Sequence, residues 1–191
     1  MRSRCFLTML VFFSIFYVTI PTWSQPTSHT TYLYFTVQGN SLPELHRDMA
    51  RNGPTANGVR GYGTTTALIG RRMLGTCNMK DSTHLDLEFQ IRLPRAATTS
   101  ALSVSDQGLW SRFTQFVKKH EETHRTIWMS CAAEYDRMLQ AGQTKVCASN
   151  RITALKLYRT MLATCGPKQV LFDQTQYGVL MKNPFIKHAL K

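Results

Sequence analysis

The stretch Leu109-Trp110-Ser111-Arg112-Phe113-Thr114-Gln115-Phe116-Val117-Lys118-Lys119-His120-Glu121-Glu122-Thr123-His124-Arg125-Thr126-Ile127-Trp128 decides how this chain is read. Leu109, Trp110, Phe113, Phe116, Val117, His120, His124, Ile127, Trp128, Cys131, Tyr135 and Met138 recur at steps of three and four. That spacing is the apolar stripe of a core-facing helix. The pattern predicts one long helix from about Asp106 to Leu139, stopped by Ala141-Gly142.

Within that helix His120-Glu121-Glu122-Thr123-His124 is an H-E-x-x-H motif. Residues i and i+4 lie on one helical face, so two imidazoles can grip one zinc ion with Glu121 beside it. Both histidines fall on the apolar stripe, where an imidazole needs a partner to offset its desolvation. Glu121 is the candidate general base for attack of water on a carbonyl. Glu122, one position round the helix, is expected to be a surface charge.

Working outward, Thr31 to Gln38 reads as a strand rich in β-branched and aromatic residues. Ser41-Leu42-Pro43-Glu44 is a capping box that opens a short helix with Leu42, Leu45 and Met49 inward. Asn52-Gly53-Pro54 stops it, and Asn57-Gly58 marks a turn. Gly63 to Ile69 is a Thr-dense strand. From His84 to Leu93 apolar and polar residues alternate strictly, which gives a strand with one buried face. Pro94 is expected to end it. Ala96 to Ser105 is a Ser/Thr/Ala connector and the candidate hinge. After the motif helix a second helix is expected from about Ser149 to Ala163, ended by Gly166-Pro167, with a polar, turn-like tail beyond. The fold class is α+β: an N-terminal antiparallel sheet with one short helix, followed by the long motif helix packed with a second helix.

The first 24 residues read as a signal peptide. Arg2 and Arg4 precede an apolar run from Phe6 to Ile20, Pro21 breaks it, and Ser24 is the expected cut. An uncleaved anchor is the alternative. Removal leaves about 167 residues, enough for a single metalloprotease-like domain over 25–191. The formal charge of +12 comes from 23 basic against 11 acidic residues. The cations are dispersed (Arg71-Arg72, Lys118-Lys119, Lys156, Arg159) and no nucleic-acid motif accompanies them. For an exported protein this suits anionic envelope polymers, in the periplasm or outside the cell. Cys77, Cys131, Cys147 and Cys165 remain after the signal, an even number that suggests two disulfides in an oxidising compartment. Free buried thiols are the other reading.

A catalytic zinc needs a third protein ligand. Glu134 is nearly three helical turns past His124 and cannot reach the same ion. Asp173, His188 and His84 remain, and Asp173 is preferred; its competing role is an Asx-turn residue. Tyr177 is a candidate donor to a developing oxyanion.

The chain also resembles a bacterial family of unknown function described as predicted secreted zinc-dependent proteases. The matching features are Tyr32-x-Tyr34-x-x-Val37-x-Gly39 with Glu44-Leu45, Gly53-Pro54, Gly63-x-Thr65, Cys77 before an alternating strand ending in Leu93-Pro94, and Trp110-x-x-Phe113 leading into His120-Glu121-x-x-His124. The family's end motif is similar to Tyr-Asp-x-x-Thr-x-His-Gly. Here it reads Phe172-Asp173-Gln174-Thr175-Gln176-Tyr177-Gly178, one residue shorter and with Tyr177 where the family has His. The resemblance implies a zinc-dependent peptidase acting on peptide or protein substrate. If the family's third ligand is that His, either Asp173 substitutes for it or the site is weakened. The alternative function is a non-catalytic cell-envelope binding protein on a degenerate metalloprotease fold.

Overall fold

The computed structural model describes residues 26–56, 58–73, 83–142 and 147–191, with 71–73, 83–84 and 147–149 described in backbone only. The elements run β1 (Thr27–Val37), α1 (Leu42–Asn52), β2 (Thr55–Ala56), β3 (Val59–Arg60), β4 (Thr64–Met73) and β5 (Thr83–Ala96). Then follow α2 (Val104–Ala141), α3 (Cys147–Met181) and α4 (Pro184–Ala189). The expected α+β order holds, sheet and short helix first and long helices afterwards.

Local chemistry explains the boundaries. Ser41 caps α1 and accepts from the Glu44 amide, while the Glu44 carboxylate accepts from the Asn40 amide. Leu42, Leu45 and Met49 face the core as their spacing requires. Gly58 turns the β2–β3 hairpin at φ +79°, a conformation glycine adopts without penalty.

Three corrections concern pairing and length. The main sheet has the order β1-β5-β4; β4 pairs antiparallel with β5, but β1 runs parallel to it. A parallel partner needs a long crossover, and α1 with the hairpin lies in that connection. Pro94 does not end β5: it pairs in register with Phe35, where β4 has already stopped opposite Arg92. A proline is tolerated there because β4 does not extend to that side of the strand at Pro94, so no ladder N–H to β4 is lost.

The third correction matters for the site. Gly166-Pro167 does not end the second helix, and Pro167 lies inside α3. A proline clashes with the Cβ of the residue before it, and Gly166 has none. Asp173 is therefore a helical residue rather than a turn residue.

Helix α2 packs on the sheet and against α3. Leu85, Leu87, Phe89, Ile91 and Leu93, the apolar set of β5, are all buried. Two core clusters form along α2. One gathers Trp110, Phe113 and Val117 with α1, Phe185 and Ile186. The other gathers Cys131, Ala132, Tyr135 and Leu139 with Met161 and Cys165 of α3. Residues 120–124 occupy the stretch of α2 between them. No helix among the described residues is long and apolar enough to cross a membrane.

Candidate metal centre

Through the motif stretch of α2 the buried line runs Phe113, Val117, Glu121. His120 and His124 lie on its flank, with side chains 21 % and 13 % exposed, rather than on the centre of the stripe as the periodicity suggested. The sheet takes the Glu121 side of the helix and α3 takes the histidine side. Glu122 points the other way: Tyr32 of β1 donates to it at 2.7 Å and Lys118 pairs with it at 3.4 Å. It is the surface charge expected.

Asp173 comes from α3. Its Oδ1 stands 3.2 Å from His120 Nε2 and 2.9 Å from His124 Nε2, and the two Nε2 atoms are 3.1 Å apart. Three donors on a tetrahedral ion with bonds near 2.0–2.1 Å stand roughly 3.4 Å apart, so this triangle needs to open by only a few tenths of an ångström. Two imidazole nitrogens this close to each other and to a carboxylate oxygen need a proton or a cation between them. His120, His124 and Asp173 can therefore hold a metal ion. Burial and the neighbouring His124 lower the His120 pKa, with Asp173 opposing them, so His120 favours the neutral form that ligates.

Of the other candidates, His188 is exposed in the last turn of α4, apart from this group. The His84 side chain lies outside the described residues. Glu134 is held by Arg137 at 2.6 and 2.9 Å. Tyr177 stands one turn past Asp173 on α3, 63 % exposed; burial raises the Tyr62 pKa, with a smaller contribution from Tyr177.

Glu121 is 4 % exposed. Burial is the main cause that pushes its pKa up to about 7, with the Thr65 hydrogen bond and His124 opposing. Thr65 Oγ1 lies 2.9 Å from both Glu121 Oε2 and the Glu121 carbonyl oxygen, and its one proton serves these two acceptors. Gly63 makes room beside the carboxylate. A Cβ there would come within 2.8 Å of Val117 Cγ1 and 2.9 Å of Glu121 Oε1.

Two supports of the site, Gln169 and Phe172, lie outside the sequence reading, and a third is one of the disulfides it expects. Gln169 Oε1 lies 2.6 Å from His124 Nδ1, and Gln169 Nε2 donates to the His124 carbonyl at 3.2 Å. The Phe172 ring packs on His120 at 4.8 Å and on His124 at 5.0 Å. Cys131 and Cys165 form a disulfide between α2 and α3. The signal for Gln169 was present: Met161, Cys165, Gln169 and Asp173 follow one another at steps of four, one face of a continuous helix. Ending the helix at Gly166-Pro167 concealed it. The second expected disulfide would involve Cys77 and the Cys147 side chain, both outside the described residues.

This mixed fold, with a donor triad shared by two helices, accompanies a family match over most of the chain. The model of a family described as bacterial protein of unknown function (DUF922) matches residues 32–178, and the chain belongs to that family. No curated protein and no solved structure matches it.

Proposed function

We propose that this chain is an exported zinc-dependent peptidase that hydrolyses peptide or envelope-linked amide bonds. One observation carries the reading: three donor atoms of His120, His124 and Asp173 converge on one point, with the buried carboxylate of Glu121 on the same helical turn. His120, His124 and Asp173 would hold the ion. Two imidazoles and one carboxylate are a donor set that zinc accepts in catalytic sites, with one position left open. When bound, zinc supplies Lewis acidity, which acidifies water and polarises a carbonyl.

The protein's own groups do the rest. Glu121 accepts a proton from the attacking water and delivers it to the leaving amine. In the metal-free protein burial raises the Glu121 pKa to about 7, toward the range that suits both transfers. Thr65 holds the Glu121 carboxylate in one orientation, and Gly63 lets the backbone lie against it. Tyr177, one turn from Asp173, is the hydroxyl proposed to donate to the developing oxyanion.

Export is supported by the signal-like start and by a disulfide between two helices. The charge of +12 supports a setting among anionic envelope polymers. The test is peptide-library hydrolysis run beside metal analysis on purified protein. One zinc per chain with cleavage is the expected result. Full zinc loading with no cleavage of any peptide or envelope amide would overturn the peptidase reading and leave a metal-holding binding protein.

A further inference from the structure

The hydrogen bonds around His124 fix more than its position. Gln169 meets His124 twice, through Oε1 at the ring Nδ1 (2.6 Å) and through Nε2 at the backbone carbonyl (3.2 Å). A carbonyl oxygen only accepts, so the end of the amide that faces it must be the NH2. The other end is then the amide oxygen, which also only accepts. His124 Nδ1 must therefore carry a hydrogen and donate it. The Nε2 atom is left to face His120 and Asp173.

We infer that Gln169 is a positioning residue for the metal centre. It pins the His124 ring by both ends of its amide, so that Nδ1 is the protonated nitrogen and Nε2 is the donor offered to the ion. This rests on the metal reading of His120, His124 and Asp173. The second contact is what makes the arrangement specific. A lone acceptor at Nδ1 is free to rotate, whereas an amide tied to the carbonyl of the same histidine has one orientation. Gln169 also stands one turn before Asp173 on α3, so one helix face supplies both the third ligand and the ring's anchor. A neutral amide does this without adding a second negative charge beside Asp173. Phe172 packs on both rings, which restrains their tilt but cannot choose between the two nitrogens.

The experiment uses the full chain with its disulfide intact, in two variants. Gln169→Leu keeps the size and packing and removes both hydrogen bonds. Gln169→Glu keeps an acceptor for Nδ1–H but loses the donor to the His124 carbonyl, so it separates the choice of ring nitrogen from the second anchor. Zinc affinity is read by competition with a chromophoric chelator. The His124 Nδ1–H is read in metal-free protein as a slowly exchanging, low-field proton resonance on the ring nitrogen. Gln169→Leu is expected to weaken zinc binding ~10–100-fold, the usual effect of losing such an outer partner, and to lose the protected resonance. Gln169→Glu is expected to retain the resonance and to bind zinc at least ten-fold more tightly than Gln169→Leu. Parental zinc affinity in Gln169→Leu, or a resonance that persists in it, overturns the assignment. So does a Gln169→Glu variant as weak as Gln169→Leu, because the acceptor then does not matter. If the parent itself binds no zinc, the metal reading fails separately, and the resonance alone decides what Gln169 does to the ring.

Discussion

Cys131 of α2 is bonded to Cys165 of α3, and the two helices carry the donor triad about two to three turns from that bond. From Cys165 the next turn of α3 brings Gln169 and the turn after it Asp173; from Cys131 it is seven residues back to His124. The bond thus fixes the relative register of the two helices that share the site.

The first prediction follows from that register. Closing a loop over a sequence separation of 34 is worth about 3–4 kcal/mol in the chain-entropy account. Replacing Cys131 and Cys165 together by Ala should lower stability by that order in urea unfolding. Zinc affinity should fall with it, because Asp173 is held to the histidines across the interface that the bond clamps. Unchanged zinc affinity in a folded double variant would show that packing alone sets the register.

The ligands should separate by variant. His120→Ala or His124→Ala should abolish stoichiometric zinc, and Asp173→Ala should weaken it and any hydrolysis together. Inductively coupled plasma analysis after dialysis checks all three. Zinc retained at one per chain in either histidine variant would remove the site assignment.

Glu121 should be dispensable for metal and indispensable for chemistry. Glu121→Gln should keep zinc and lose hydrolysis by ~10²–10⁴-fold. The same variant tests the carboxyl's environment through stability. Burial raises the Glu121 pKa from 4.5 to about 7, so the folded metal-free protein favours the protonated acid. Below pH 4.5 the carboxyl is protonated in both folded and unfolded chains and carries no penalty. As pH rises from 4.5 through about 7, stability should decline by roughly 3 kcal/mol. Glu121→Gln should lack this part of the decline, so its advantage over the parent grows between pH 4.5 and 8. Parallel stability–pH curves for the two proteins would contradict the burial argument.

Gly63 and Thr65 should act through Glu121. Gly63→Ala puts a methyl group against Val117 and Glu121 Oε1, and should cost roughly 1–3 kcal/mol in stability and displace the carboxylate. Thr65→Val removes a bond that holds the acid's pKa down, so the Glu121 pKa should rise further and the acid limb of the pH–rate profile should move to higher pH. A profile that stays in place would separate Thr65 from Glu121.

Tyr177→Phe tests the oxyanion role. If the hydroxyl donates only as charge develops, kcat should fall by ~10²–10³-fold with KM and zinc content unchanged. An unaltered kcat would leave Tyr177 as the exposed surface tyrosine that its position on α3 already makes it.

Local rules carried the sequence a long way. The capping box at Ser41, the alternation from His84 to Leu93 and the three-four spacing around His120 each involve neighbours along the chain, so α1, β5, α2 and the pair His120–His124 were legible. Glu122 was legible as a surface charge for the same reason. What the sequence alone could not decide was which partner each face meets. The parallel pairing of β1 with β5 depends on a crossover, and the choice of Glu121 over the histidines for the buried line depends on where the sheet lies. Most of all, Gly166-Pro167 is a strong local stop signal, yet α3 continues through it. Packing on α2 and the Cys131–Cys165 bond outweigh the missing helical hydrogen bond and the crowding of the ring against the carbonyl one turn back, and the absent Cβ of Gly166 removes the clash with the preceding side chain. Only that tertiary decision turns Gln169 and Asp173 toward His124 and His120 and closes the donor triad.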